Sequence, residues 1–259
     1  MNKNFLFLGF GKMGGAIFHN FLQKNIKKEN IATIDPSNSS ADFKDISEIK
    51  NRKFDVVIFA IKPQNSEEIL QKFAKSNLFH ENTIFISILA GKNISFFEKF
   101  LGNDKKIVRV MPNLPILINE GISGYFSNKN LKNNEEKVII DLFGQNIKVE
   151  KEDLIHQITA ISGSGPAYLF LFAKNMVEAA VEIGLNQDQA QKLAIQTIFG
   201  ASKMLLEEQN IEQLIDNVAS KGGTTRAALD VFNDEENSLS QLTQKAVKSA
   251  LKRSIELSN

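Results

Sequence analysis

Apolar residues in the first half of the chain alternate between two rhythms. Short, mainly apolar runs occur at residues 5–8, 31–34, 56–61, 84–89 and 107–111, and stretches with apolar positions at helical spacing, such as 66–78 and 93–101, lie between them. Runs of this length predict strands, and their alternation with amphipathic helices predicts a parallel sheet with crossover helices. The opening is the clearest case. Phe5–Leu8 precedes a glycine cluster, after which Ile17, Phe18, Phe21 and Leu22 recur at helical spacing, giving strand, tight turn and helix.

After about residue 150 the rhythm changes. Leu169, Phe172, Met176, Val177 and Ala180 mark one helix, and Ala190, Leu193, Ala194, Ile198, Ala201 and Leu205 mark the next. The polar stretch Lys148, Glu150, Lys151, Glu152 and Asp153 separates the two textures. The fold class expected is α/β, with a Rossmann-type doubly wound parallel sheet over residues 1–152 and an all-α domain over 153–259. No linker rich in Pro, Gly or Ser divides them, so the halves are expected to pack directly together.

Composition narrows the function classes. With 42% hydrophobic and 24% charged residues, the chain lies in the range of soluble globular proteins. Lys plus Arg number 31 against 30 for Asp plus Glu, leaving no bulk field to draw nucleic acid or anionic lipid. A small-molecule partner remains open. The absence of Cys removes disulfides, thiolate nucleophiles and cysteine-ligated metals. Gly9, Gly11, Lys12 and Gly14 interrupt the apolar start before it can form a secretory signal, and nothing approaches the roughly 20 apolar residues of a membrane span. A cytoplasmic location is expected, with no metal and no membrane partner.

Gly9-Phe10-Gly11-Lys12-Met13-Gly14 fits G-x-G-x-x-G at the first strand–helix junction. In that setting the glycines allow a tight turn, close approach of backbone to a pyrophosphate, and close helix–strand packing, with the helix N-terminus facing the phosphates. Asp35, 21 positions after Gly14, ends the second run, where this architecture places a carboxylate on the ribose hydroxyls. It also precedes Pro36 and Ser37 and suits an ordinary turn. Ala60-Ile61-Lys62-Pro63 closes the third run and Ala90-Gly91 the fourth, at the strand ends where ligands gather. Lys62 equally suits a solvated loop.

Two further segments carry small residues at helix starts. Ile161-Ser162-Gly163-Ser164-Gly165-Pro166-Ala167 precedes the first long helix, and Ser220-Lys221-Gly222-Gly223-Thr224-Thr225 opens a later one. Consecutive amides and hydroxyls at a helix start suit a small carboxylate, although the same residues also suit plain capping. His19, His80 and His156 fit neither metal nor triad spacing and are expected to be structural or exposed.

Taken in order, FLGFGKMGGAI, AIKPQ, VRVMPNLP, AISGSGPAY and ASKGGTTRAAL resemble the pyrroline-5-carboxylate reductase family from end to end. The resemblance implies a dinucleotide-binding domain joined to a helical domain that dimerises, an active site shared between protomers, and in some members larger assemblies. Phe10 belongs to the segment that matches at the glycine turn. It implies Gly9, Gly11, Lys12, Met13 and Gly14 at the cofactor pyrophosphate, with Ile61, Lys62, Ala90 and Asn217 near other parts of the cofactor. The substrate, 1-pyrroline-5-carboxylate, would be held by Ser220, Gly222, Gly223, Thr224 and Thr225. Thr225 is implied as the hydrogen-bond donor to the ring nitrogen, with Glu208 nearby. Lys221 stands where the family often has Pro, which leaves the rigidity of that loop open. Family members use NADPH, NADH or both, and Asp35 favours NADH here because a carboxylate repels a 2′-phosphate.

Two other readings differ in class. A β-hydroxyacid dehydrogenase shares the two-domain plan but implies a Lys early in the long helix, where this chain has Gly165-Pro166-Ala167-Tyr168-Leu169 and reaches Lys174 only later. A non-catalytic nucleotide sensor would leave the Ser220–Thr225 segment without a purpose.

Overall fold

All four side chains of β1 (Phe5–Leu8) and of β2 (Ile31–Ile34) are buried, as strands with both sheet faces covered require, and Thr33 is the one polar residue among them. The computed structural model describes residues 3–132, 135–208, 210–236 and 238–258. After α1 (Lys12–Gln23), the strands β3 (Phe54–Phe59), β4 (Phe79–Ser87) and β5 (Lys106–Met111) continue the parallel set, with α2 (Ser66–Ala74) and α3 (Ile94–Leu101) as crossovers. The sheet order is β2-β1-β3-β4-β5-β6-β7.

The last two strands were not among the predicted runs. β6 (Ile122–Ser127) is antiparallel to β5, and β7 (Gln145–Lys148) pairs parallel to β6. β6 reads ISGYFS and β7 reads QNIK, largely exposed at the sheet edge, so neither needs a continuous apolar run. α4 (Lys137–Ile140) lies between them.

Alternation along the strands fills two cores. Phe5, Phe7, Val56, Ile58, Ile84, Ile86, Val108 and Val110 face Ile17 and Phe21 of α1. Leu6, Leu8, Val57, Phe59, Phe85 and Ile107 face Leu70, Phe73, Phe97 and Leu101 of α2 and α3. The chain has 20 Phe and no Trp. Each fully buried Phe contributes about 1.5–3 kcal/mol, and edge-to-face contacts such as Phe5–Phe21 at 5.3 Å add to it.

The helical half follows from α5 (Leu154–Ile158), which widens into a π-helical turn at Thr159–Gly163 and leads into α6 (Gly165–Glu182). Next come α7 (Gln187–Glu207), begun by a capping box between Asn186 and Gln189, then α8 (Ile211–Val218), α9 (Thr224–Phe232) and α10 (Leu239–Glu256). Two compact units result. One runs to Ser164 and regains the chain from Ala250 onward, and the other is Gly165–Ser249. Within the second, α6 has no buried residue, and Leu169, Phe170 and Leu171 are more than half exposed.

Candidate functional site

The glycine turn is built by contacts that exclude side chains. Gly9 has φ +99°, and a Cβ there would stand 2.4 Å from the carbonyl oxygen of Ala60. The two strand ends are joined at this point, Ala60 N–H donating to the Leu8 carbonyl at 2.7 Å. A Cβ on Gly14 would meet the Gly9 carbonyl at 2.6 Å. Gly11 differs, since no protein atom lies within 4 Å of its Cβ position. It is the N-cap of α1 and offers no side chain to cap it. The first bond of the helix runs from Gly15 N–H to the Gly11 carbonyl at 2.8 Å, so the preceding amides have no partner inside the helix. A bare backbone beside free amides at a positive helix end fits a pyrophosphate.

Beside this turn lies a cavity of about 730 Å³, lined by Gly9, Phe10, Gly11, Asp35, Pro36, Ser37, Ala60, Ile61 and Lys62 among others. Lys12 lines an adjoining cavity of about 440 Å³, with Phe10, Gly11 and His19. Met13 packs instead against the first core, and Pro63 starts a 3₁₀ turn ahead of α2. Ala90 lies just beyond the carboxyl end of β4. Asn217 is exposed on α8 in the other unit, where its side-chain oxygen accepts from Gln213 at 3.0 Å.

Asp35 is turned toward backbone. Its Oδ2 accepts from Phe10 N–H at 2.8 Å, and its Oδ1 accepts from the amides of Ser37 at 2.8 Å and Asn38 at 3.1 Å. The carboxylate therefore ends β2 as an Asx-type turn, the second reading of this residue, and it also lines the cavity. Asn38 also donates from its side chain to the Phe10 carbonyl at 2.5 Å. Lys44 and Lys72 were not singled out from sequence, yet both line the cavity. Lys44 donates to the Asn38 carbonyl and Lys72 pairs with Asp45. Nothing in their local sequence separates them from other surface lysines.

In the second unit, Ser220 and Gly222 occupy the bend before α9, and Gly223 is its N-cap. Gly223 N–H donates to the Ser220 carbonyl at 3.0 Å, and a Cβ on Gly223 would meet Ser220 Oγ at 2.6 Å. No side chain caps this helix, so the amides of its first turn have no partner within it. Thr224 is exposed and Thr225 half-buried. Arg226 folds back, donating to the Ala219 carbonyl at 3.3 Å. Glu208 ends α7, exposed, and accepts from Asn210 N–H at 2.9 Å. Among the described residues, no group of three or more His, Asp or Glu side chains is placed to hold a metal, and no helix is long and apolar enough to cross a membrane.

Two family descriptions match different parts of the chain. The family description "Pyrroline-5-carboxylate reductase dimerisation" matches residues 152–257, and "NADP oxidoreductase coenzyme F420-dependent" matches residues 4–91. A pyrroline-5-carboxylate reductase of Haemophilus influenzae is 34% identical, with 99% of this chain and 98% of that protein covered. One from Aquifex aeolicus is 39% identical over 84% of each. A crystal structure of Plasmodium falciparum pyrroline carboxylate reductase with NADP bound is 34% identical, covers 100% of this chain and 99% of its own, and superposes with a TM-score of 0.87. Identity of this size along nearly the whole length, over one continuous fold, means that the chain belongs to the pyrroline-5-carboxylate reductase family.

Proposed function

We propose that this protein reduces 1-pyrroline-5-carboxylate to L-proline by hydride transfer from NADH or NADPH, the last step of proline biosynthesis. The observation that carries the reading is 34% identity along 99% of the chain to a pyrroline-5-carboxylate reductase. The open backbone at Gly11 and the uncapped start of α9 support it, because the reaction needs one place for a dinucleotide and another for a small carboxylate.

In this reading residues 1–152 bind the dinucleotide, and residues 153–259 bind substrate and dimerise. Gly9, Phe10, Gly11, Lys12, Met13 and Gly14 hold the pyrophosphate; Asp35, Pro36 and Ser37 face the ribose; Ala60, Ile61, Lys62, Pro63, Ala90 and Asn217 complete the cofactor contacts. When bound, the reduced nicotinamide supplies hydride. Ser220, Gly222, Gly223 and Thr224 anchor the substrate carboxylate, with Glu208 close by. Thr225 donates a hydrogen bond to the ring nitrogen. A protonated C=N accepts hydride at carbon and becomes a neutral amine, so the protein needs to align and hydrogen-bond the ring rather than supply a strong base.

The cofactor preference leans toward NADH. The Asp35 carboxylate lines the cavity, and Lys44 and Lys72 there are already engaged by the Asn38 carbonyl and Asp45. The exposed apolar side chains around α6 support a homodimer, with assembly of dimers as a further step.

Mixing the purified protein with pyrroline-5-carboxylate and either reduced cofactor, then following loss of nicotinamide absorbance, tests the reading. Turnover with NADH favoured over NADPH is expected. No turnover with either overturns the reductase assignment, and a strong NADPH preference overturns the lean. Sedimentation at low micromolar concentration should show a dimer as the smallest active species.

A further inference from the structure

The loop after β4 is gripped at both ends by parts of the chain distant in sequence. Its start is tied to the sheet, Ile88 N–H donating to the Phe59 carbonyl at 3.1 Å. Its far end is tied elsewhere. Gly91 has φ +77°, and a Cβ there would lie 2.2 Å from the carbonyl oxygen of Leu257. The chain's closing turn thus rests directly on this loop's backbone. Three residues on, Ile94 N–H donates to Glu152 Oε1 at 2.7 Å, and the same oxygen accepts from Arg109 Nη1 at 3.1 Å. Arg109 is 1% exposed, with Nε and Nη2 lacking hydrogen-bond partners, so Glu152 is held beside it by an ion pair that is costly to break.

The closing turn has its own fastening. His156 of α5 lies with Nδ1 2.9 Å from Ser254 Oγ and Nε2 3.4 Å from Ser258 Oγ. His156 and Ser254 are both buried. None of these residues lines the cavity beside the glycine turn. Glu152 reaches the loop directly at Ile94, and the His156–Ser254–Ser258 fastening reaches it through Leu257, which lies against Gly91.

We propose that Glu152, His156, Ser254 and Ser258 are positioning residues that fix the Ile88–Gly91 loop and thereby set where Ala90 meets the cofactor, an inference that rests on the cofactor role given above to Ala90. A loop with one end on the sheet and the other on a glycine in left-handed conformation has no secondary structure of its own to hold it. The return of the chain to the first unit after Ala250 supplies that hold.

The test is direct NADH binding by fluorescence enhancement, together with NADH and substrate KM and turnover. It compares wild type, the double variant Ser254→Ala/Ser258→Ala, and Glu152→Gln, all well below their melting temperatures. NADH avoids a cofactor phosphate that titrates near neutral pH. Both variants are expected to weaken NADH binding about fivefold, the size of one lost hydrogen bond. Substrate KM should be unchanged, and Ser254→Thr with Ser258 intact should restore NADH binding. Lower melting temperatures with unchanged NADH binding overturn the proposal, leaving a purely structural latch. If the double variant does not fold, Ser258→Ala alone decides the point by the same readings. A wild type that binds NADH but does not turn over pyrroline-5-carboxylate would overturn the reductase reading instead, while NADH binding by the variants still judges the loop.

Discussion

Asp35 Oδ2 accepts the amide of Phe10 at 2.8 Å, so the carboxylate that ends β2 holds the turn that ends β1. The amides of Ser37 and Asn38 fill its other oxygen. One side chain thereby fixes two walls of the same cavity and places a negative charge between them.

Asp35→Asn keeps one acceptor oxygen and removes the charge. The ratio of kcat/KM for NADPH over NADH is expected to rise about tenfold, as a repulsion of about 1.4 kcal/mol is relieved. Folding stability should fall by about 1–2 kcal/mol, because amides that met a carboxylate now share a neutral acceptor. Kinetics with both cofactors and a urea melt check the two effects separately. An unchanged ratio would mean that the charge does not face the 2′ position.

Gly9 and Gly11 should separate folding from binding. Gly9→Ala drives a Cβ into the Ala60 carbonyl at 2.4 Å and strains a residue at φ +99°, so a loss of at least about 2 kcal/mol in stability is expected. Gly11→Ala meets no protein atom within 4 Å, so its melting curve should match wild type to within about 0.5 kcal/mol. Its NADH KM should nevertheless rise at least about tenfold if the pyrophosphate lies against Gly11 as proposed, because the methyl would occupy that space. A normal KM in Gly11→Ala would move the phosphate site elsewhere.

His156 ties stability to pH. Burial lowers its pKa below the ordinary 6.5, the nearby Arg109 charge lowers it further, and Asp153 opposes both. Above about pH 6.5 both folded and unfolded chains hold a neutral imidazole. Below it the unfolded chain takes up a proton that the folded chain resists, so stability is lost as pH falls from 6.5 toward the depressed folded value. Melting temperature should begin to drop near pH 6, before carboxylates held below their usual range, such as Asp42 and Glu135, begin to lose their contribution as pH falls below about 4. In His156→Asn that first decline should be absent. If it persists unchanged, another group is responsible.

These cases mark how far sequence carries the structure. β1, the glycine turn and α1 were legible because a buried strand and a helix leave different periods, and the turn between them needs glycine. β6 and β7 were not, since an antiparallel strand near the sheet edge and an exposed edge strand carry little apolar signal. The position of Asp35 was predictable, but its three amide partners were not, because they depend on where two loops meet in space. Gly91 beside Leu257 is the extreme case. The contact joins residues far apart in the chain, and no local pattern announces it.

Thr225 tests the chemistry. It lies at the second position of α9, half-buried, in a first turn that has no side-chain cap. Thr225→Val preserves the branched shape and removes only the hydroxyl, so the helix should form as before. If that hydroxyl donates to the ring nitrogen, its bond strengthens as the nitrogen gains an electron pair from the C=N bond. Losing it then costs about 2–3 kcal/mol in the transition state, or roughly 30- to 150-fold in turnover. NADH affinity should stay the same. Ser220→Ala should behave differently, raising substrate KM more than it lowers kcat, because a carboxylate contact persists from bound substrate through to product. Steady-state kinetics of the two variants across neutral pH distinguish the roles. Near-normal turnover in Thr225→Val would make the hydroxyl structural and leave solvent as the proton source for the nitrogen.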